Sequence, residues 1–307
     1  MSARVVGRFA PTPSGRLHLG NVLCAMLAYL SARSAGGKFL LRIEDVDKPR
    51  CPAHLTRQCI EDLQYLGFDW DEPPLIQSER TGVYEAALQS LRAQGLVYPC
   101  FCTRAQLHEA APNEGDTQFV YAGTCARLSP EEAARRAIER RPSLRVRVPD
   151  EVVRFEDRLC GAVSENLARD CGDFVVRRSD GLFGYQLAAV VDDALSGVNE
   201  IVRGKDILTS TPRQLFLQRA LGYEQPRYAH IPLLRDEQGR RLAKRDKDLD
   251  LSALAKRFSP EEILGALAFS CGVLSENRPA SLERLVPLFS WEKVKRDDPL
   301  LPEGLRE

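Results

Sequence analysis

No apolar run of about 18 residues occurs anywhere in the 307-residue chain, so no membrane-spanning helix is expected. The N-terminus begins Met1-Ser2-Ala3-Arg4 and enters a strand pattern at Val5, without the extended apolar core and small-residue cleavage site of a secretory leader; the expected location is the cytoplasm. A charge excess is missing too. Lys+Arg and Asp+Glu each total 43, and the net charge of zero supplies no global pull toward nucleic acid. Any RNA contact must use a local patch such as Arg135, Arg136, Arg140, Arg141, Arg145 and Arg147, a run that reads first as a solvated helix face. The nine cysteines are odd in number and several sit in ordinary helix or strand patterns, which excludes a secreted disulfide framework and fits a reducing compartment. There is no internal repeat and no low-complexity tract. What is present, 44% hydrophobic and 28% charged residues, is the composition of a globular protein with room for one large domain or two smaller ones.

Organisation can be read along the chain. Val5 to Phe9 is β-prone, Pro11, Pro13 and Gly15 mark a loop, and a helical apolar pattern follows from about Asn21 to Ser34. A second apolar run, Lys38 to Ile43, empties into Glu44-Asp45-Val46-Asp47. Strand, helix and strand make a βαβ unit, hence a parallel sheet with ligands at the carboxyl ends of its strands. Helical patterns return at Ala53 to Leu66 and Gly82 to Gln94, and cysteines and loop residues dominate between Tyr98 and about Leu128. Strand-like runs reappear at Phe174 to Arg177, Gly184 to Val191 and Gly197 to Val202, and beyond Asp246 the pattern is helical. The expected fold is therefore α/β. Residues 1–98 and 170–235 would form a Rossmann-like catalytic domain, 99–169 an insertion with a metal site, and 236–307 a basic loop and a small helical domain.

Three constellations bear chemistry. The loop Pro11-Thr12-Pro13-Ser14-Gly15 leads into Leu17-His18-Leu19-Gly20-Asn21 at the mouth of a helix, where backbone donors and the helix dipole suit an anion. The plain alternative is a turn with His18 capping or packing. Far downstream lies Arg240-Arg241-Leu242-Ala243-Lys244-Arg245, whose lysine could meet charge developing on a leaving pyrophosphate, although alone it reads as a surface loop. Cys100 and Cys102 form a C-x-C pair, with Cys125 downstream and Tyr121 in Y-x-x-x-C spacing before it. Three thiolates and one further donor would complete a closed, structural tetrahedral zinc site, and by chemistry alone His108 is the favoured fourth ligand.

His18-Leu19-Gly20-Asn21 resembles the H-I-G-H element of the class I aminoacyl-tRNA synthetases, and Arg240 to Arg245 resembles their K-M-S-K-S loop in its glutamate-specific form. Asn21, Arg241 and Ala243 depart from those patterns; Lys244 keeps the second lysine. The resemblance implies His18 and Lys244 as catalytic residues. It implies ATP contacts at Pro11, Thr12, His18, Gly20, Asn21, Arg241, Lys244 and Arg245. Arg8, Glu44 and the stretch from Tyr185 to Gly204 resemble the glutamyl-tRNA synthetases. This implies a glutamate site of Arg8, Phe9, Ala10, Pro11, Thr12, Glu44, Tyr185 and Arg203, in which arginines meet the carboxylates and Glu44 the ammonium.

Only residues 246–307 follow the basic loop, too few for the usual anticodon-binding region. That, with the cysteine spacing, makes the chain similar to the glutamyl-queuosine tRNA(Asp) synthetases, a truncated branch in which a tyrosine ligates zinc. The resemblance then implies Cys100, Cys102, Tyr121 and Cys125 as ligands. It implies ATP with Mg²⁺, L-glutamate and queuosine-bearing tRNA(Asp) as reactants, no membrane partner, and a monomer. Two other outcomes are charging of the tRNA 3′ end and a non-enzymatic RNA-binding module. A third, a nucleotidyltransferase making a small product, is disfavoured by Glu44, Tyr185 and Arg203 arriving together.

Overall fold

The structure is a computed structural model that describes residues 4–103, 106, 120–236, 238–239 and 250–305. The expected first unit is present as β1 (Val6–Phe9), α1 (Leu19–Ser34) and β2 (Lys38–Ile43), with β1 and β2 parallel and Val6 opposite Lys38. Next come α2 (Ala53–Tyr65), β3 (Leu75–Ile76), α3 (Thr81–Ala93) and β4 (Val97–Cys100). They are followed by α4 (Pro130–Glu139), β5 (Ser143–Val146), β6 (Val152–Asp157), β7 (Gly161–Asn166) and β8 (Phe174–Arg177). The rest is α5 (Tyr185–Leu195), β9 (Glu200–Gly204), α6 (Thr211–Leu221), β10 (Arg227–Ile231), α7 (Leu251–Leu254), α8 (Pro260–Ser270) and α9 (Leu282–Leu285).

β2 carries β3 in parallel on its far side, and β9 and β10 run parallel with Arg203 opposite His230. The two groups meet at Asn199, whose backbone N–H donates to the Val6 carbonyl at 3.1 Å and whose side-chain oxygen accepts from the Val6 N–H at 2.9 Å. β1 and β9 thus stand side by side, and their carboxyl ends open on the same space, where an α/β sheet of this kind binds ligands.

The run Gly184 to Val191, expected to be a strand, is the start of helix α5. Leu187 to Asp193 are all buried, between neighbours on several sides, so the segment has no polar face and no 3.6-residue signature to separate it from a buried strand. The β6–β7 hairpin has no counterpart among the expected strands, although its alternating buried and exposed positions are strand-like. It lies within the expected insertion, yet β6 pairs with β10. Conversely, β8 joins β5 and β4 in an antiparallel sheet. Strand partnership across these segments follows tertiary neighbours rather than sequence order.

Helix α1 is apolar nearly all round because it is covered on both sides. Its Leu23, Met26, Leu27 and Leu30 belong to one continuous apolar cluster with Ile263, Leu264 and Leu267 of α8 and Leu285 of α9. The C-terminal helices therefore share the core of the first βαβ unit. α8 starts where Ser259 caps the Glu262 N–H, Glu262 reaches back to the Ser259 N–H, and Pro260 occupies the first turn. Among the described residues no helix is long and apolar enough to cross a membrane.

Gly265 sits inside α8, where a Cβ would come within 2.0 Å of the Arg278 carbonyl oxygen. In an ordinary helix interior Gly→Ala stabilises by about 0.5–1 kcal/mol. Here Gly265→Ala should instead lower stability by roughly 2 kcal/mol. Urea unfolding of the two proteins checks the sign, and a raised midpoint would contradict the close approach described.

Candidate active site

A cavity of about 370 Å³ opens at the carboxyl ends of β1, β2 and β9. β1 and the loop after it contribute Arg8, Phe9, Ala10, Pro11 and Thr12, and the mouth of α1 contributes His18, Gly20 and Asn21. Glu44 enters from the end of β2, Tyr185 from the first turn of α5 and Arg203 from β9. Every residue expected around ATP and glutamate that falls within the described residues lines this one cavity. Arg241, Lys244 and Arg245 lie outside them, as does the rest of the basic loop. The flanks of that loop are tied down: Arg235 donates to the Gly239 carbonyl at 2.9 Å, and Asp250 forms a β-bridge with His18. The Leu251 N–H then donates to the Leu17 carbonyl at 2.9 Å.

His18 is the N-cap of α1, in extended conformation, and Asn21 reaches back to accept from the His18 N–H at 3.3 Å. The His18 ring stands over Gly20, where a Cβ would lie 3.0 Å from Cε1. Glycine at that position leaves the ring its place at the helix mouth.

Beneath the cavity floor lies a chain of buried charges. Asp193 accepts from Arg8 Nε at 3.1 Å and from Arg42 Nη1 in a shorter contact, while Arg42 Nη2 donates to Glu44 at 3.0 Å. Burial works to raise the Asp193 carboxyl, but the charges of Arg42 and Arg8 hold it below the usual range. For Glu44, burial outweighs Arg42 and the carboxyl is raised. Asp192, next along α5, accepts from Gln77, Arg80 and Tyr84, each at 2.7 Å. Arg203 differs: it is 4% exposed and bonds only to neutral groups, His230, Gln214 and Thr211. Among the described residues no carboxylate forms an ion pair with it. Arg42, Asp157 and His230 were not expected at the site. The signal for them is a charged or polar residue inside an apolar run, which sequence alone cannot pair with its partner.

The second constellation also comes together. The sulfur atoms of Cys100, Cys102 and Cys125 lie within 4.8 Å of one another and could hold a metal ion. Tyr121 Oη stands 3.5 Å from both the Cys100 and Cys102 sulfurs and accepts from the Cys125 N–H at 2.8 Å. His108 lies outside the described residues. Arg145 donates to Cys100 Sγ at 3.3 Å and stacks 3.9 Å above the Tyr121 ring, a cation placed where ligating thiolates would accumulate negative charge. Burial opposes it, but hydrogen bonds from Tyr121, the Cys102 amide and Arg145 bring the Cys100 thiol down to about 7. The donor set, burial and neighbouring charge fit zinc.

Of the cysteines outside the cluster, Cys160 is exposed, and Cys24, half-buried, packs against the core and also borders the cavity. The arginine run is locally committed. Arg135 and Arg136 pair with Glu132, Arg140 donates to the Phe101 carbonyl and Arg147 to that of Ala126.

A family profile described as tRNA synthetases class I (E and Q), catalytic domain, matches residues 4–267. Glutamyl-Q tRNA(Asp) synthetase of Symbiobacterium thermophilum is 48% identical over 312 residues, spanning 96% of this chain and 95% of its own. The chain belongs to this family. Its counterpart of the same name in Thiobacillus denitrificans is 47% identical, spanning 94% of this chain and 92% of its own. Among solved structures, a glutamate tRNA ligase from Elizabethkingia meningosepticum in complex with its amino acid superposes with a TM-score of 0.84 at 26% identity. That superposition covers 99% of this chain and 68% of the ligase. The α/β catalytic fold with its parallel sheet is that of the class I synthetases, enzymes that use ATP with Mg²⁺.

Removing the Asp193 charge should leave the buried Arg8 without its carboxylate partner and Arg42 with Glu44 alone. Asp193→Asn is expected to cost about 3–5 kcal/mol at neutral pH. A depressed carboxylate contributes stability above its unfolded value, 3.8, and loses it as pH falls through the lower folded value. The gap between the two proteins should therefore narrow in acid. Urea titrations at pH 7 and below pH 4 measure it, and a constant gap would argue against the ion-pair account.

Proposed function

We propose that the chain activates L-glutamate with ATP, without needing tRNA, and transfers the glutamyl group to queuosine in the anticodon loop of tRNA(Asp). The observation that carries the first half is Arg203: Arg8 and Arg42 are matched by Asp193 and Glu44, whereas Arg203 lines the same cavity with only neutral hydrogen-bond partners among the described residues and can meet an anionic amino acid. Arg203, with no carboxylate of its own among the described residues, takes one substrate carboxylate, and Glu44 faces the ammonium. Tyr185, 40% exposed at the cavity, keeps its phenol protonated at neutral pH and can donate a hydrogen bond. With the side-chain carboxylate on Arg203, glutamine, which has only its α-carboxylate, would leave that cation unmatched, so the site prefers the acid over the amide.

In the first step an oxygen of the glutamate α-carboxylate attacks the α-phosphorus of ATP and the bond to pyrophosphate breaks. The mouth of α1 with His18, Gly20 and Asn21 offers donors and dipole to the phosphates, and Lys244 meets the leaving pyrophosphate. Mg²⁺ arrives with the nucleotide and offsets the charge of the phosphate oxygens. In the second step a hydroxyl of the modified base attacks the adenylate carbonyl and AMP departs. The names of the relatives support this acceptor. Cytoplasmic location and a monomeric state complete the reading, with 99–169 as a metal-bearing insertion and 236–307 as the loop and helical end.

Pyrophosphate exchange without RNA, run in parallel with glutamate, glutamine and aspartate, should proceed with glutamate alone; preference for glutamine, or no exchange, would end the proposal. The acceptor is decided by tRNA(Asp) trimmed of its terminal adenosine, which should still be labelled, and by queuosine-free tRNA(Asp), which should not. Labelling only of intact 3′ ends would instead make the chain a glutamyl-tRNA synthetase.

For the cysteine cluster we propose a structural Zn²⁺ on Cys100, Cys102, Tyr121 and Cys125. Metal analysis of the purified protein should find one zinc per chain, reduced at least tenfold in occupancy by Cys102→Ser. A wild-type protein free of zinc after expression in zinc-replete medium would contradict this.

A further inference from the structure

Arg203 enters the cavity from β9, and its orientation is set from behind by groups that do not line the cavity. Its Nε donates to His230 Nε2 at 3.0 Å, Nη1 to Gln214 Oε1 at 2.7 Å and Nη2 to Thr211 Oγ1 at 2.7 Å. Parallel pairing of β9 with β10 places Arg203 opposite His230 in register, so both side chains leave the same face of the sheet. Behind His230, its Nδ1 lies 2.6 Å from Asp157 Oδ2, with both side chains completely buried. Asp157 also accepts backbone N–H groups from Leu159, Cys160 and His230 itself, so its position is fixed independently of the imidazole.

The hydrogen positions follow from chemistry. Burial works to raise the Asp157 carboxyl, yet its hydrogen bonds from His230 and Cys160 hold it low, so it is an ionised acceptor with no hydrogen to give. His230 Nδ1 must carry the hydrogen between them. Burial and the Arg203 charge outweigh the Asp157 contact and keep the imidazole below its ordinary value, so it is neutral and Nε2 presents a lone pair. That lone pair receives the Arg203 Nε–H, and the Thr211 hydroxyl, 3.1 Å away, can turn its own hydrogen to it as well. With the other tautomer, or an imidazolium, two N–H groups would face each other across 3.0 Å.

We propose that Asp157 and His230 are positioning residues for the amino acid substrate. The buried carboxylate selects the Nδ1–H tautomer of His230, and its Nε2 lone pair aims Arg203 so that the remaining guanidinium N–H groups meet a substrate carboxylate. This rests on reading the cavity as the glutamate site.

The test uses Asp157→Asn in the full chain. The introduced amide can donate to Nδ1, which moves the imidazole hydrogen to Nε2 and sets it against Arg203. In pyrophosphate exchange the KM for glutamate should rise roughly 10- to 100-fold, the loss expected when one charge-assisted contact is misdirected. The KM for ATP should stay within about twofold, since the nucleotide is held elsewhere. In an Arg203→Lys background the same change should add little, because the group it acts through is gone. Equal rises in both KM values, or a full additional loss in the double variant, would make the role merely structural and overturn the proposal. Should Asp157→Asn impair folding, His230→Gln, which keeps an acceptor, should retain a lower glutamate KM than His230→Leu; equal values overturn it. Independently of activity, ¹⁵N-histidine spectra of the wild-type protein, simplified by the presence of only four histidines, should show His230 as Nδ1–H. An Nε2–H tautomer or imidazolium at neutral pH overturns the proposal outright. An Nδ1–H signal in a protein with no glutamate-dependent exchange would instead remove the functional reading and with it the substrate role.

Discussion

Asp193 sits under the cavity with two guanidinium groups on it, and the surrounding architecture is organised to keep it there. It comes from a helix whose inner residues are all buried, while Arg8 and Arg42 come from adjacent parallel strands. Isolated, each of these charges would be costly to remove from water; together they satisfy one another and hold the ends of β1 and β2 at a fixed distance from α5. The same ion pairs orient Glu44, through Arg42, at the cavity wall. A helix stands where a strand was expected, and its consecutive Asp192 and Asp193 meet different partners, Asp192 bonding Gln77, Arg80 and Tyr84 and Asp193 bonding the two strand arginines.

The two sides of the cavity are held by different physics. On the Arg8 side, charge meets charge. On the Arg203 side the partners are neutral, so the cation is positioned without being neutralised, and its charge remains available to an anion entering the cavity. A histidine can do this only in one tautomer, and a buried carboxylate behind it supplies that selection at a distance of two residues from the ligand. Hydrogen-bond direction, rather than net charge, does the positioning there.

The cysteine cluster follows the same logic with softer atoms. Strand β4 delivers Cys100, the turn after it Cys102, and a short helical turn Cys125, with Arg145 from β5 closing over the tyrosine. A metal held there would tie together a part of the chain that has little apolar core of its own, five buried side chains among the described residues.

Much of this was legible in the residues themselves. The βαβ start, the His18 to Asn21 mouth and the C-x-C pair with its downstream tyrosine and cysteine are local patterns, whereas the set Arg8, Glu44, Tyr185 and Arg203 came only from resemblance to the glutamyl-tRNA synthetases. Local backbone geometry and donor chemistry are written in short stretches of sequence. The tertiary structure alone decided that α5 is a helix, that β6 joins β10, that the C-terminal helices share the core of α1, and that Cys24 borders the cavity. It alone paired Asp193 with two arginines and Asp157 with His230. The reason is physical: a buried apolar run carries no periodicity once it is covered on all sides, and a buried charge announces that it needs a partner without naming which distant residue will meet it.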